Sequence, residues 1–173
     1  MTDTQVTMDE MTARTARFDQ LSASTQAFVD TRIPEHERDI FNVIGAGVTE
    51  DPELAPAIAA AEGFNVTYIG ADPGKGAALH SHPTVEVFIP MSGRWSVYWG
   101  DDGEQEIELG PWDVVSVPVG VLRGFRNIGD SHAHLMAIIG GTDSGKVSWA
   151  QSVLDRAEQT GLALDETGAL VER

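Results

Sequence analysis

The sequence predicts an all-β fold of the antiparallel sandwich or jelly-roll type, with helical segments at both ends of the chain. Three observations lead there. Between Phe64 and Ile139 short apolar segments follow one another closely: Phe64–Ile69, Ala77–His82, Val85–Ile89, Trp95–Trp99, Gln105–Leu109, Val114–Val117, Leu122–Asn127 and His134–Ile139. Their connections carry Gly, Pro or Asp, the residues that turns demand. No helix-length segment separates any two of them, so the βαβ spacing of a parallel sheet is missing.

Taken in order, residues 1–62 read as an N-terminal extension. Met11, Phe18, Leu21 and Phe28 lie among small polar residues from Asp9 to Val29 and predict one helix or two short ones. Ile33-Pro34 interrupts, Asp39–Val43 suits a helical turn or a short strand, and Gly45–Pro52 is a loop. Pro56–Ala61 predicts a short helix that Gly63 would cap. The strands then occupy a barrel over residues 63–142. Asp101-Asp102-Gly103 is its strongest hairpin signal, because Asp and Gly tolerate the positive φ such turns require. Residues 143–173 return to helix: Trp149, Val153, Leu154 and Ala157 have helical spacing within Ser148–Gln159, and Gly161 stops it.

Composition removes several function classes. The formal charge is 11 − 27 = −16, with only two lysines, Lys75 and Lys146. Such a chain repels nucleic-acid phosphates and anionic membranes, and no basic stripe offsets it. It has no cysteine, which excludes disulfides, thiolate metal sites and a cysteine nucleophile. No apolar run reaches membrane-spanning length, and the polar N-terminus lacks a signal-peptide core. A cytoplasmic protein is expected. Gly70–Gly76 superficially suggests a phosphate loop but lacks the Gly-Lys-Ser/Thr ending and leads into a strand, so it reads as a turn.

The chemistry concentrates at His80-Ser81-His82. Residues two apart in a strand face the same way, so both imidazoles project together, and Glu86 follows with the same parity. Two imidazoles and one carboxylate form a facial ligand set for a divalent metal with positions left open. On a solvated strand the three would mean nothing. Here Ala77-Ala78-Leu79 precede and Val85, Val87, Phe88 and Ile89 follow, so the segment reads as core, where ionisable groups need partners.

Gly74, His80, His82, Glu86 and Gly93, with Gly110, Pro118-Val119-Gly120 and Asn127, stand at the spacings of the two sequence motifs of the cupin superfamily. The chain resembles that superfamily over about Phe64 to Gly141. The resemblance implies a double-stranded β-helix barrel and a metal held by His80, His82 and Glu86. It departs at Arg123, which occupies the place of the second motif's histidine and cannot donate a lone pair. Two readings of Arg123 follow. Either the metal is kept and Arg123 grips an anionic substrate, or Arg123 pairs with Glu86 in a metal-free binding module.

Parity places Phe88 with Glu86 and Phe125 with Arg123 as pocket residues, and His134 is a further candidate lining the cavity. His36, inside the charged run Glu35–Asp39, reads as solvated, and Trp112 as packing at the barrel mouth. Trp95, Val97 and Trp99 alternate as core or dimer interface. The expectation is a metal-dependent enzyme of small molecules. It would be a dioxygenase-like cupin with one divalent metal per chain, Fe(II) first and Mn, Ni, Co or Zn as other occupants. Arg123 would be catalytic and the substrate an aromatic or diketone-like acid. A non-redox isomerase or lyase and a metal-free binding protein are the alternatives, and a homodimer is expected from the need to cover edge strands.

Overall fold

The computed structural model describes residues 5–173. Strand β1 (Asp39–Ile44) is followed by β2 (Phe64–Ala71), β3 (Gly76–Ser81), β4 (Glu86–Pro90), β5 (Trp95–Trp99), β6 (Gln105–Leu109), β7 (Val115–Val117), β8 (Arg123–Asn127) and β9 (Ala133–Gly140). The two-residue β10 (Ser148–Trp149) and the small hairpin β11 (Leu162–Leu164) and β12 (Leu170–Glu172) complete the strands. Helix α1 (Met8–Thr12) precedes all of them, and α2 (Gln151–Gln159) lies between β10 and β11. One antiparallel sheet runs β1-β2-β9-β4-β7 and faces a second, β10-β3-β8-β5-β6. This is the double-stranded β-helix architecture. Among the described residues no helix is long and apolar enough to cross a membrane.

The two sheets enclose Ile69, Phe88, Trp95, Val97, Phe125 and Leu135, all buried. Alternation decides which side chains face in. Along β9, Ala133, Leu135, Ala137 and Ile139 are buried while the residues between them are half-exposed. Strand β3 is covered on both faces. Ala77 joins the inter-sheet core, whereas Ala78 joins Val29, Ile33, Val153, Ala157 and Leu162 beneath α2. A β-bulge lies between Ala77 and His80: Ala77 pairs with Phe125, but His80 pairs with Arg123, a shift of one residue. The bulge re-phases the strand, so His80 turns inward despite sharing the sequence parity of Ala78.

The terminal regions depart from the sequence expectation. Asp9–Val29 is not one or two helices of that span. Beyond α1, which Thr7 and Glu10 close with a capping box, it holds only short 3-10 turns at Phe18–Gln20 and Val29–Arg32. Ser24 instead exchanges both backbone bonds with Ile40 of β1. Ser and Thr compete for backbone bonds, and the strand edge supplies better ones. Pro56–Ala61 is also not helical; Ile58 forms an isolated bridge to Ile44. The C-terminal helix begins at Gln151 rather than Ser148, because Ser148 and Trp149 pair with Ser81 and His80.

Candidate functional site

His80 comes from β3 and His82 from the residue just past its end. The chain then crosses at Pro83–Val85 to the opposite sheet, where Glu86 opens β4. Arg123 opens β8, directly across from His80. All four are buried, and the structure brings them together. One ligand atom from each of His80, His82 and Glu86 lies within 4.8 Å of the others, so the three form a group able to hold a metal ion.

Arg123 occupies the middle of that group. Its Nε donates to Glu86 Oε2 at 3.1 Å and its Nη2 to the same oxygen at 2.6 Å. Nη1 donates to the carbonyls of His80 and Val121 at 3.2 and 3.3 Å. Nη2 also abuts the His82 ring, 3.0 Å from Nδ1. A guanidinium has five N–H donors, and these contacts use all of them. Nothing remains on Arg123 to grip a substrate anion.

The electrostatics follow. Burial tends to raise the Glu86 carboxyl, but the hydrogen bond with His82 and the charge of Arg123 outweigh it and hold it below the usual carboxylate range. Burial, reinforced by Arg123, pushes His80 down to about 3, so this imidazole is neutral at any physiological pH. His80 Nδ1 faces the Ala78 carbonyl at 2.7 Å and can only donate there, which leaves Nε2 as an acceptor.

As a bare donor set, two imidazoles and a carboxylate fit a divalent ion. Arg123 competes with such an ion: it engages two of the three donors, and a dication about 4 Å from the guanidinium meets a repulsion of about 8 kcal/mol at an effective dielectric of 20, against which Glu86 attracts it.

A cavity of about 40 Å³ adjoins the group, with His80, Glu86 and Phe125 in its wall. Phe88 lies deeper, fully buried against Phe125 at 5.1 Å between ring centres. His134 does not line this cavity. It belongs to the outward set of β9, edge-on to the Phe18 ring at 5.2 Å and beside His132. The parity argument assigned the wrong face, since Leu135 and Ala137 are the inward residues. Trp112 does not pack at the barrel mouth; it is 75% exposed, in the left-handed region at φ 72°. His36 is half-buried rather than solvated, and burial lowers its pKa. Asn127 ties the carbonyls of Ala71 and Ser131 together and takes no part in the site.

Three residues of this region carried no readable signal. Trp149 sits over His80 at 5.2 Å and lines the cavity. Its indole N–H donates to Glu50 Oε1 at 2.6 Å, and Glu50 Oε2 accepts from the Val29 amide at 2.7 Å. Burial pushes Glu50 up to about 7 against these two bonds. Arg38, hidden in a charged run, is buried and paired with the fully buried Asp30 at 2.9 Å.

Residues 68–139 match the family described as Cupin domain. Among solved structures, the polyketide cyclase RemF from Streptomyces resistomycificus is 13% identical, with a TM-score of 0.56 over 84% of this chain and 96% of that one. The DMSP lyase DddQ from Ruegeria pomeroyi is 18% identical, TM-score 0.55, covering 75% of this chain and 60% of that one. A cupin 2 domain-containing protein from Halorhodospira halophila is 18% identical, TM-score 0.53, covering 71% and 77%. At these identities the likeness is one of fold. No functionally curated protein matches the chain in sequence.

Proposed function

Residues 68–139 are a cupin domain, and from that premise we propose that the protein is a small-molecule-binding cupin in which Arg123, not a divalent metal, balances the buried His80–His82–Glu86 group. One observation carries this: every N–H of Arg123 is used inside the site, two of them on Glu86 Oε2. A buried carboxylate needs a partner, and here it has a cation that donates two N–H groups to one of its oxygens and is held in place by two backbone carbonyls.

Elemental analysis of protein purified without a His tag tests it. The expected content is well below one divalent metal per chain, and Arg123→His, which restores the second motif's histidine as a third imidazole, is expected to raise it to about one. Stoichiometric metal in the native protein would sink the proposal.

A second reading keeps the metal, with Fe(II) first among the ions considered. It is favoured by His80, whose Nδ1 is fixed on the Ala78 carbonyl in the way metal-bound histidines are oriented. Such an ion would supply Lewis-acid or redox chemistry. The role left to this chain is to hold His80 neutral and Glu86 ionised while Arg123 leaves the centre.

A further inference from the structure

The cavity beside His80 and Glu86 has a one-sided polarity. Its side-chain donors point away from it, to partners in the protein. Asn42 Nδ2 donates to the Ala46 carbonyl, Thr49 Oγ1 to the Ala27 carbonyl and Thr67 Oγ1 to Asn42. The indole of Trp149 is turned to Glu50. Arg38 spends Nη1 on two carbonyls, is ion-paired to Asp30 and lies over the Phe28 ring; its unpartnered Nε is sealed from solvent.

The acceptors behave oppositely. Among the described residues no donor reaches His80 Nε2, because that ring's only hydrogen bond is through Nδ1. Glu86 receives both Arg123 bonds on Oε2, leaving Oε1 without a partner. Neither atom is among the sealed, unpartnered ones, and both residues line the cavity. Buried acceptors of this kind require donors. Charge is already balanced, Glu86 against Arg123 and Arg38 against Asp30, so an anionic ligand would add an uncompensated buried charge.

We infer that this cavity takes a small uncharged molecule that donates hydrogen bonds, a hydroxyl on an apolar body of a few heavy atoms, with His80 Nε2 and Glu86 Oε1 as its acceptors. The apolar remainder of the wall, including Ile69, Phe125, Ile139 and Trp149, suits the body of such a ligand. Its size follows from the volume of about 40 Å³, which accommodates roughly three waters. The inference rests on Arg123 holding its place in the site. It also reverses the acidic substrate expected from sequence, which required Arg123 to have donors to spare.

Three probes of four heavy atoms separate the chemistries. Propan-2-ol donates, acetone only accepts, and acetate is an anion. Metal content is measured first on the full chain, and histidine-labelled protein is then titrated at pH 7 while the His80 nitrogens are followed by NMR. Propan-2-ol should shift them saturably, with a Kd about tenfold or more below that of acetone, the weight of one charge-assisted hydrogen bond. Acetate should give no saturable shift. Acetate or acetone binding as well as the alcohol overturns the ligand class, as does saturation by none of the three. One metal per chain overturns the Arg123 reading as well, and it is seen before any probe is added.

Discussion

The site has a floor and a roof of different construction. The floor, His80, His82, Glu86 and Arg123, lies within the segment that matches the cupin family and is set by strands of both sheets. The roof, Phe28, Val48, Thr49 and Trp149, comes from chain on either side of it. The floor is carried by paired strands of both sheets, β3 with β8 and β4 with β7 and β9. The roof has fewer backbone bonds, and the Glu50 carboxylate gathers two of its parts, the Val29 amide and the Trp149 indole. Their titration differs as well. His80 is driven down to about 3 and Glu86 is held low, so these two keep their protonation through neutrality, whereas Glu50 is raised to about 7. One barrel can therefore present a fixed chemical floor while the surrounding chain supplies a cover of different chemistry.

The severest way to break the comparison is at the floor. Arg123→Ala leaves Glu86 buried without its cation, and breaking a buried pair from one side costs about 3–5 kcal/mol. Urea unfolding should register that loss; a change under about 1 kcal/mol would mean the floor is not organised around this pair.

The roof should account for the pH dependence. Glu50 has a folded pKa of about 7, raised from 4.5. The folded state then binds the proton more tightly than the unfolded one. Its stabilisation is complete below about pH 4.5 and is lost as pH rises through about 7, about 3 kcal/mol in all. Stability measured between pH 5 and 8 should fall by most of this amount, and Glu50→Gln should flatten the profile. A wild-type profile that rises over this range would contradict the assignment.

Trp149→Phe keeps a ring over His80 but removes the bond to Glu50, so a loss of about 1.5–3 kcal/mol is expected at pH 8, where the carboxylate is charged. Faster amide exchange should be confined to the segment around β10. Exchange that rises equally across β3 and β8 would show roof and floor to be one unit. The smallest effect belongs outside both. His134→Ala, on the outer face beside Phe18, should change stability by about 0.5 kcal/mol or less and leave the propan-2-ol titration unchanged.

Sequence spacing exposed the floor almost completely. Eight strands between Phe64 and Gly140 stand within two residues of where turn chemistry put them, and His80, His82 and Glu86 converge as their positions implied. The roof was illegible for physical reasons. Trp149 sits at helical spacing with Val153, so periodicity absorbed it into α2, although pairing with His80 draws it into a strand. Glu50 looked like a loop carboxylate, and Arg38 like one charge in a solvated run. Their burial comes from contacts between distant segments, which no local pattern records. At His134 parity alone left the face open, and the structure puts it outward, with Leu135 and Ala137 inward.

The bulge in β3 shows what a surplus residue can be for. Remove Leu79 in thought, and strict alternation from Ala77 still points the next histidine into the cavity. The extra residue is therefore not needed for aim. Beside the bulge, the Ala78 carbonyl lies within 2.7 Å of His80 Nδ1. That carbonyl decides which nitrogen carries the proton, and so which face of the imidazole the cavity meets.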